Sequence, residues 1–168
     1  MFGANVSVNV RKFKARINFK TSEMTGIIIC KKISDSTSAG SFINEFGIKG
    51  FDFSITGSRA KLGYTFKKLD KWYIRRTLEN DLHFMFYVPT LNKVCFVNDS
   101  LAYVANISHK LNYVYYITVD NKTEHADMFK GSRKTSSLQK YYDDMLDLVL
   151  KMRHVNGSLN YEFYEIKN

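Results

Sequence analysis

Side chains able to hold phosphate groups are unevenly distributed along this 168-residue sequence. The chain carries 25 Lys and Arg against 16 Asp and Glu, which gives a net charge of +9. Residues 1–20 hold five cations and no acid, residues 59–76 hold seven cations and one acid, and residues 131–140 hold three cations and no acid. Since Lys and Arg neutralise phosphates, this segregated excess predicts phosphate-binding surfaces.

The N-terminal cations form a regular row. From residue 12 onward, cations occupy one parity and apolar side chains the other, which indicates a β-strand with one cationic and one buried face. The cations are Lys12, Lys14, Arg16 and Lys20, with Arg11 beside them, and the apolar residues are Phe13, Ala15, Ile17 and Phe19. Successive cations would lie about 6.5–7 Å apart, a spacing comparable to that of nucleic-acid phosphates. The alternative is an ordinary edge strand, in which lysines discourage aggregation.

The second cationic segment also contains aromatic residues. Its cations are Arg59, Lys61, Lys67, Lys68, Lys71, Arg75 and Arg76, and Tyr64, Phe66, Trp72 and Tyr73 stand among them. Basic tracks with aromatic platforms are typical of single-stranded nucleic-acid sites. The alternative is a core position for Trp72 beneath a solvated cationic face. The local pattern fits both a helix and a strand over residues 64–76, and we favour the strand.

A third candidate site precedes the strongest helix prediction. Apolar residues recur at helical spacing over about 137–154, with acids towards the start of that segment and cations at its end. Arg133 and Lys134 stand in the loop directly before it. Backbone N–H groups at a helix N-terminus, with two cations beside them, favour a phosphate. A solvated loop without a ligand is the alternative.

The sequence lacks the usual catalytic motifs. It contains no GxSxG, HExxH or GxGxxG pattern. Its two cysteines, Cys30 and Cys95, do not have the spacing of a zinc site. We therefore predict a non-enzymatic protein without a cofactor or metal.

One segment nevertheless resembles the core of the PD-(D/E)xK nucleases. The similarity rests on residues 50–53, on residues 64–67 and on a hairpin predicted from His83 to Val97. It implies that Asp52 is the metal-binding aspartate of the motif and Lys67 its lysine. Thr65 stands where the family has a second carboxylate, which implies a degenerate, non-cleaving relative because Mg²⁺ is held by carboxylates.

The remaining patterns predict a single globular domain over residues 1–168. Its class is α+β, a largely antiparallel sheet with one long C-terminal helix at about 137–154 and a final strand at Leu159–Ile166. Alternating residues predict further strands at Phe51–Ile55 and Tyr113–Val119, and residues 41–48 favour helical turns. High aromatic content and a single Pro exclude disorder, and no apolar run has the length of a membrane span.

These observations predict a protein that grips the phosphate backbone of DNA or RNA with little sequence preference. The alternative is a small interaction or inhibitor protein that docks its basic face on an acidic partner protein, and a metal-dependent nuclease is a third possibility. No apolar leader segment follows Met1, and both cysteines lie in apolar runs. We therefore expect a cytoplasmic, reduced protein without a membrane partner.

Overall fold

A computed structural model describes residues 10–87, 93–97, 100–108, 111–117, 123–142 and 147–167. They form twelve β-strands and one α-helix. In chain order these are β1 (Val10–Phe19), β2 (Ser22–Lys32), β3 (Thr37–Asn44), β4 (Lys49–Thr56), β5 (Arg59–Thr65), α1 (Trp72–Phe86), β6 (Lys93–Val97), β7 (Ser100–Ser108), β8 (Leu111–Ile117), β9 (Thr123–Lys130), β10 (Arg133–Tyr142), β11 (Leu148–His154) and β12 (Leu159–Ile166).

All twelve strands belong to one antiparallel sheet. Its order is β5-β4-β3-β2-β1-β12-β11-β10-β9-β8-β7-β6, so nearly every strand pairs with its neighbour in sequence. The exception is the pair formed by β1 and β12, which joins the two halves of the chain. Strands β5 and β6 are the two edges of the sheet, and α1 lies between them in sequence.

The sheet is wrapped around α1. The Phe86 ring stacks on Phe53 of β4 at 5.9 Å, whereas the neighbouring Phe84 ring packs on Tyr113 of β8 at 4.6 Å between centroids. In a flat sheet β4 and β8 would lie eight strand spacings, about 38 Å, apart. Both strands contact the same end of one helix, so the sheet must curl strongly and enclose it. The core therefore lies on the inner face of the sheet.

Helix α1 is stabilised by packing rather than by local signals. Ile74, Leu78 and Leu82 recur every fourth residue and are all buried. The N-cap, Lys71, makes no side-chain capping hydrogen bond, and the first turn of α1 contains no acid to complement the helix dipole. In the part of the chain that the structure describes, no helix has the length and apolar character needed to span a membrane.

The predicted fold class is wrong because its long C-terminal helix does not form. Residues 137–154 instead lie mostly in β10 and β11, and Leu138 faces Met152 across that strand pair. Leu148, Leu150 and Met152 are buried at a spacing of two, which is the period of a strand. Residues 143–146 of the predicted helix lie outside the described residues.

Other local predictions had mixed outcomes. The strands at Phe51–Ile55 and Leu159–Ile166 are confirmed as parts of β4 and as β12. The helical turns over 41–48 are wrong, because this segment holds the end of β3 and a turn. The strand over 64–76 and the hairpin from His83 are also wrong, since α1 spans Trp72–Phe86.

Candidate functional site

Turns at one end of the sheet enclose an apolar groove against the start of α1. The β1–β2 turn, the β3–β4 turn and the segment 66–71 meet there around a volume of about 580 Å³. That volume lies within the range of ligand sites, roughly 300–1,000 Å³. We call this cavity the open-end groove. Its apolar and aromatic side chains are Phe19, Met24, Phe42, Phe46, Ile48, Phe66, Leu69, Tyr73 and Ile74.

The β3–β4 turn is held in shape by Asn44. Its side-chain Oδ1 accepts hydrogen bonds from the backbone N–H groups of Phe46, at 3.0 Å, and Ile48, at 2.8 Å. Gly47 completes the turn with a φ of +77°, a conformation that glycine adopts without strain. This ordered turn presents Phe46 to solvent with 86% of its surface exposed.

The segment before α1 is attached to the same end of the sheet. The Phe66 N–H donates a hydrogen bond to the Gly50 carbonyl at 2.7 Å, and the Leu69 N–H donates to the Phe66 carbonyl at 2.8 Å. Leu69 is buried while Phe66 stays partly exposed. Two neighbouring turns therefore form a continuous wall.

The open-end groove combines a buried floor with an exposed, partly charged rim. Phe42, Leu69 and Ile74 form its floor and are each at most 9% exposed. The charged side chains of its lining are Glu23, Glu45, Lys49, Lys68 and Lys71. The arrangement can bury a hydrocarbon on the floor and place an anionic group beside the lysines.

Helix α1 also protects the β5 edge of the sheet. The Glu79 carboxylate accepts a hydrogen bond from the Leu62 backbone N–H at 2.9 Å, and the Arg75 guanidinium donates to the Leu62 carbonyl at 2.7 Å. Arg75 also contacts Asp70 and Thr65, each at 2.8 Å. The Arg75 side chain is therefore engaged within the fold. It hydrogen-bonds a backbone carbonyl of the edge strand β5, which would otherwise be free to pair with another strand.

A second, more polar cleft lies on the other side of α1. It has a volume of about 780 Å³ and lies between β5, α1 and β8. Its cationic lining residues are Arg59, Lys61, Arg75 and Arg76. Because Arg75 is already paired, three of these four cations remain to face solvent in this cleft.

A buried carboxyl group fastens α1 to the sheet. Asp81 is fully buried, its Oδ2 accepts a hydrogen bond from the Tyr161 hydroxyl at 2.6 Å, and the same oxygen lies 2.8 Å from Nε2 of His154. Oδ1 of Asp81 has no hydrogen-bond partner among the residues that the structure describes. Burial raises the pKa of Asp81, because the charged form loses its hydration.

His83, two residues further along α1, makes a second polar attachment. Its Nδ1 lies 2.7 Å from the Tyr113 hydroxyl and its Nε2 lies 3.1 Å from the Gly57 carbonyl. Burial lowers the pKa of His83, so the ring is held as the neutral imidazole. Asp81 and His83 thus bind the C-terminal half of α1 to strands β8, β11 and β12 and to the turn between β4 and β5.

We expect the Asp81→Asn variant to gain stability relative to the wild type as the pH rises from about 4 to 8. Because the folded pKa of Asp81 is raised, its stabilising contribution is present below the unfolded pKa and is lost as the pH rises through the folded pKa. Each unit of upward shift corresponds to about 1.4 kcal/mol. Urea unfolding of both proteins at several pH values measures the difference.

Asp35→Asn is the matched control for this pH dependence. Asp35 is exposed, and the hydrogen bond from Lys32 lowers its pKa, so its contribution is lost as the pH falls instead. Between pH 4 and 8 the Asp35→Asn difference should therefore stay nearly constant, and it should shift in favour of the variant only below about pH 4. A stability difference for Asp81→Asn that stays constant across this pH range would contradict the assignment.

The structure brings three of the N-terminal cations together as predicted. Lys12, Lys14 and Arg16 lie on the outer face of β1, opposite the buried Phe13, Ala15 and Ile17. Strand β1 is central in the sheet rather than an edge, since it pairs with both β2 and β12. Arg16 lies 3.7 Å from the Glu23 carboxylate.

Two other N-terminal cations leave this row. Arg11 shares the parity of Phe13 and donates a hydrogen bond to the Glu165 carboxylate at 2.7 Å. That contact lowers the pKa of Glu165. Lys20 lies in the β1–β2 turn with a φ of +51°, beyond the end of the strand.

The second cationic segment is divided among three elements. Arg59 and Lys61 lie on β5, Lys67, Lys68 and Lys71 precede α1, and Arg75 and Arg76 lie in its first turns. Trp72 is 77% exposed, so its alternative placement in the core is wrong. The seven cations therefore do not follow a single strand; four of them line the second cleft and two line the open-end groove.

The third candidate site requires a helix over residues 137–154, and that helix does not form. Arg133 and Lys134 begin β10 directly after the turn at Gly131. Lys134 forms an ion pair with Asp127 at 3.0 Å. Without a helix at 137–154, no helix N-terminus is available there to bind a phosphate.

The nuclease resemblance is not supported by the arrangement of the chain. Asp52 accepts hydrogen bonds from Ser41 and from Lys49, the latter at 3.0 Å. The predicted hairpin from His83 is helical up to Phe86. Across the described ranges, no group of three or more His, Cys, Asp or Glu side chains could hold a metal ion.

The chain shares its fold with LolA-like proteins. It superposes on the crystal structure of a LolA superfamily protein from Nitrosomonas europaea with a TM-score of 0.55 at 10% identity, covering 95% of this chain and 84% of that one. A structure from Vibrio parahaemolyticus, described as an outer membrane lipoprotein-sorting protein domain, gives 0.51 at 9% identity with the same coverage. No family model and no curated protein matches the sequence.

These similarities correct the predicted function and partners. The shared fold is that of LolA-like and lipoprotein-sorting structures, so the prediction of a DNA- or RNA-binding protein is wrong. The alternatives of an acidic partner protein and a nuclease are corrected with it. The physical reason is that net charge alone does not select phosphate as a ligand. Several of these cations instead serve the fold through ion pairs, as Arg11, Arg75 and Lys134 do.

Proposed function

We propose that this protein binds the acyl chain of a lipid or of a lipid-modified polypeptide in the open-end groove. The observation that carries the proposal is the buried apolar floor of Phe42, Leu69 and Ile74, which opens to solvent at one end of the sheet. A hydrocarbon that leaves water for such a floor gains about 25 cal/mol for each Å² of apolar surface that is buried.

The fold similarity supports the same ligand class. A structure that shares this fold, the one from Vibrio parahaemolyticus, is described as a lipoprotein-sorting protein domain. A lipid-modified polypeptide presents an acyl chain, and a concave apolar groove of about 580 Å³ can shield part of such a chain from water.

The pairing of β1 with β12 also supports the prediction that residues 1–168 form one domain.

The groove is tested by placing a charge on its wall. Met24 lies on β2, lines the groove and packs against the core with partial exposure. We expect Met24→Asp to reduce the affinity for a dansyl-labelled fatty acid at least roughly ten-fold, because the carboxylate must lose hydration when the acyl chain binds. Titration of the probe fluorescence, below the concentration at which the fatty acid forms micelles, measures the affinity.

Two further variants define the outcome. Met24→Trp fills the groove without adding charge and should also weaken binding, whereas Ile33→Asp, in the exposed β2–β3 turn, should leave it unchanged. Thermal unfolding of each variant reports whether the fold is retained. Wild-type affinity in both Met24 variants, with the fold intact, would show that the acyl chain does not occupy this groove.

A further inference from the structure

We propose that the rim of the open-end groove docks on an anionic lipid surface. The docking rim consists of Phe46, Phe66, Lys68 and Lys71, which line the groove, and of Lys67 and Trp72, which are next to them in the chain. Trp72 lies between the groove and the second cleft, which it lines. Aromatic side chains combined with lysines are the composition of proteins that lie at the membrane interface. The docking does not require a ligand in the groove, so it is separate from the proposed function.

The aromatic residues of the docking rim protrude from ordered backbone. Phe46 stands on the turn that Asn44 holds with two hydrogen bonds. Phe66 is fixed by the bond between its N–H and the Gly50 carbonyl. The Trp72 ring packs edge-on against Tyr73 at 6.0 Å between centroids and remains largely exposed. These side chains therefore present apolar surface to solvent without a rearrangement of the chain.

The lysines of the docking rim are available for an external anion. Among the described residues, no carboxylate lies within ion-pair distance of Lys67, Lys68 or Lys71. Two nearby acids are already neutralised, because Asp70 pairs with Arg75 at 2.8 Å and Asp52 with Lys49 at 3.0 Å. Glu23 likewise lies beside Arg16, whereas the exposed Glu45 next to Phe46 offsets one of the three lysines. The rim therefore carries a net charge of +2 (three lysines less one glutamate) together with its apolar surface.

This combination favours a lipid surface over a protein partner. Each lysine near an anionic bilayer contributes attraction, and each exposed aromatic side chain can enter the boundary between head groups and acyl chains. The rim also surrounds the opening of the groove, since Phe46, Phe66, Lys68 and Lys71 line both. An acyl chain could therefore pass between a membrane and the groove floor with little exposure to water.

Vesicle co-sedimentation tests the docking rim. We expect the wild type to bind phosphatidylcholine vesicles that contain phosphatidylglycerol and to bind pure phosphatidylcholine vesicles much more weakly. Replacing Lys67, Lys68 and Lys71 together by Gln should lower the affinity for the anionic vesicles roughly 100-fold. Phe46→Ala combined with Trp72→Ala should lower it at least roughly ten-fold.

Matched controls lie outside the docking rim, at the far end of β2 and along β5. Lys31→Gln, Arg59→Gln and Lys61→Gln together remove the same charge, and Ile33→Ala removes an apolar side chain that is 51% exposed. Neither set should alter vesicle binding by more than about two-fold. Equal losses in the rim and control variants would overturn the proposal, since a general charge effect would then explain the binding.

Two further outcomes separate this proposal from its rivals. Absence of vesicle binding by the wild type overturns the docking, and so does a Phe46-dependent dimer in light scattering with no vesicle binding, which would assign the rim to a second copy. Met24→Asp should retain vesicle binding while it loses the fatty acid. Loss of fatty-acid binding by the groove and loss of vesicle binding by the rim can therefore be distinguished.

Discussion

The Gly26→Ala variant should lose about 3 kcal/mol or more of its unfolding free energy. Gly26 lies in β2, where the backbone of β3 passes directly over it at the position of Ile43 and Asn44. A Cβ atom added at Gly26 would stand 2.7 Å from the Asn44 Cα and closer still to the Ile43 carbonyl oxygen. The three nearest atoms all belong to the β3 backbone, so no flexible side chain could give way.

The same clash would disturb the open-end groove. Asn44 holds the β3–β4 turn, so a displacement of its backbone moves Phe46 and the groove wall as well. We therefore expect Gly26→Ala to weaken fatty-acid binding in addition to lowering the midpoint of thermal unfolding. For a chain of this length, 3 kcal/mol corresponds to about 6–12 °C.

Gly63→Ala is the matched control for Gly26→Ala. Gly63 also lies in a strand, β5, but an added Cβ would meet only the Asp52 Cβ at 3.8 Å, which is an ordinary contact. This variant should be neutral or slightly more stable, because alanine has less conformational freedom in the unfolded chain. Equal midpoints for the two variants in denaturant unfolding would contradict the close approach of β2 and β3.

The strands that the sequence predicted correctly are those with one polar face. Phe13, Ala15 and Ile17 alternate with cations in β1, and Leu159, Tyr161 and Phe163 alternate in β12. A period of two with strong contrast between the faces leaves one interpretation. These two strands pair with each other at the centre of the sheet. The central strands of the fold can therefore be predicted from the local sequence pattern.

The helix was misplaced because two periods coincide over residues 137–154. Leu148 and Met152 are spaced as on a helix face, yet with Leu150 they also alternate as in β11. The real helix has the helical spacing of Ile74, Leu78 and Leu82, but its last turns are rich in aromatic residues, which favour strands. Contacts with both halves of the sheet override that local preference, and such contacts are not visible in sequence.

The open-end groove could not be predicted from local pattern either. Its walls come from three segments, around Met24, Phe42–Ile48 and Phe66–Ile74, which meet only when the sheet curls. The sequence pattern does place Phe66 and the neighbouring lysines in one candidate site, but it indicates nucleic acid as the ligand, which is wrong. The exposed Phe46 does not stand out in the sequence, because the pattern over residues 41–48 favours helical turns that place it on an apolar face. An Asn-x-x-Gly sequence at 44–47, typical of a turn, was the available signal.

Leu82→Ala should be strongly destabilising, with an expected loss of about 3 kcal/mol in the unfolding free energy. Leu82 has no exposed surface and belongs to the core that the sheet encloses. The variant loses the transfer free energy of the removed methyl groups and leaves a cavity. Since α1 contacts β4 and β8 at once, the strands around that cavity cannot close it without losing other contacts.

Arg76→Ala is the control on the same helix. Arg76 is exposed in the first half of α1, so its removal tests helix propensity and surface charge without changing the core. We expect a change within about 0.5 kcal/mol for this variant. Urea unfolding of both variants should show single transitions with the wild-type slope. A Leu82→Ala loss below about 1 kcal/mol would mean that α1 is not enclosed by the sheet. Truncating a leucine on an open face costs little, because it leaves no buried cavity.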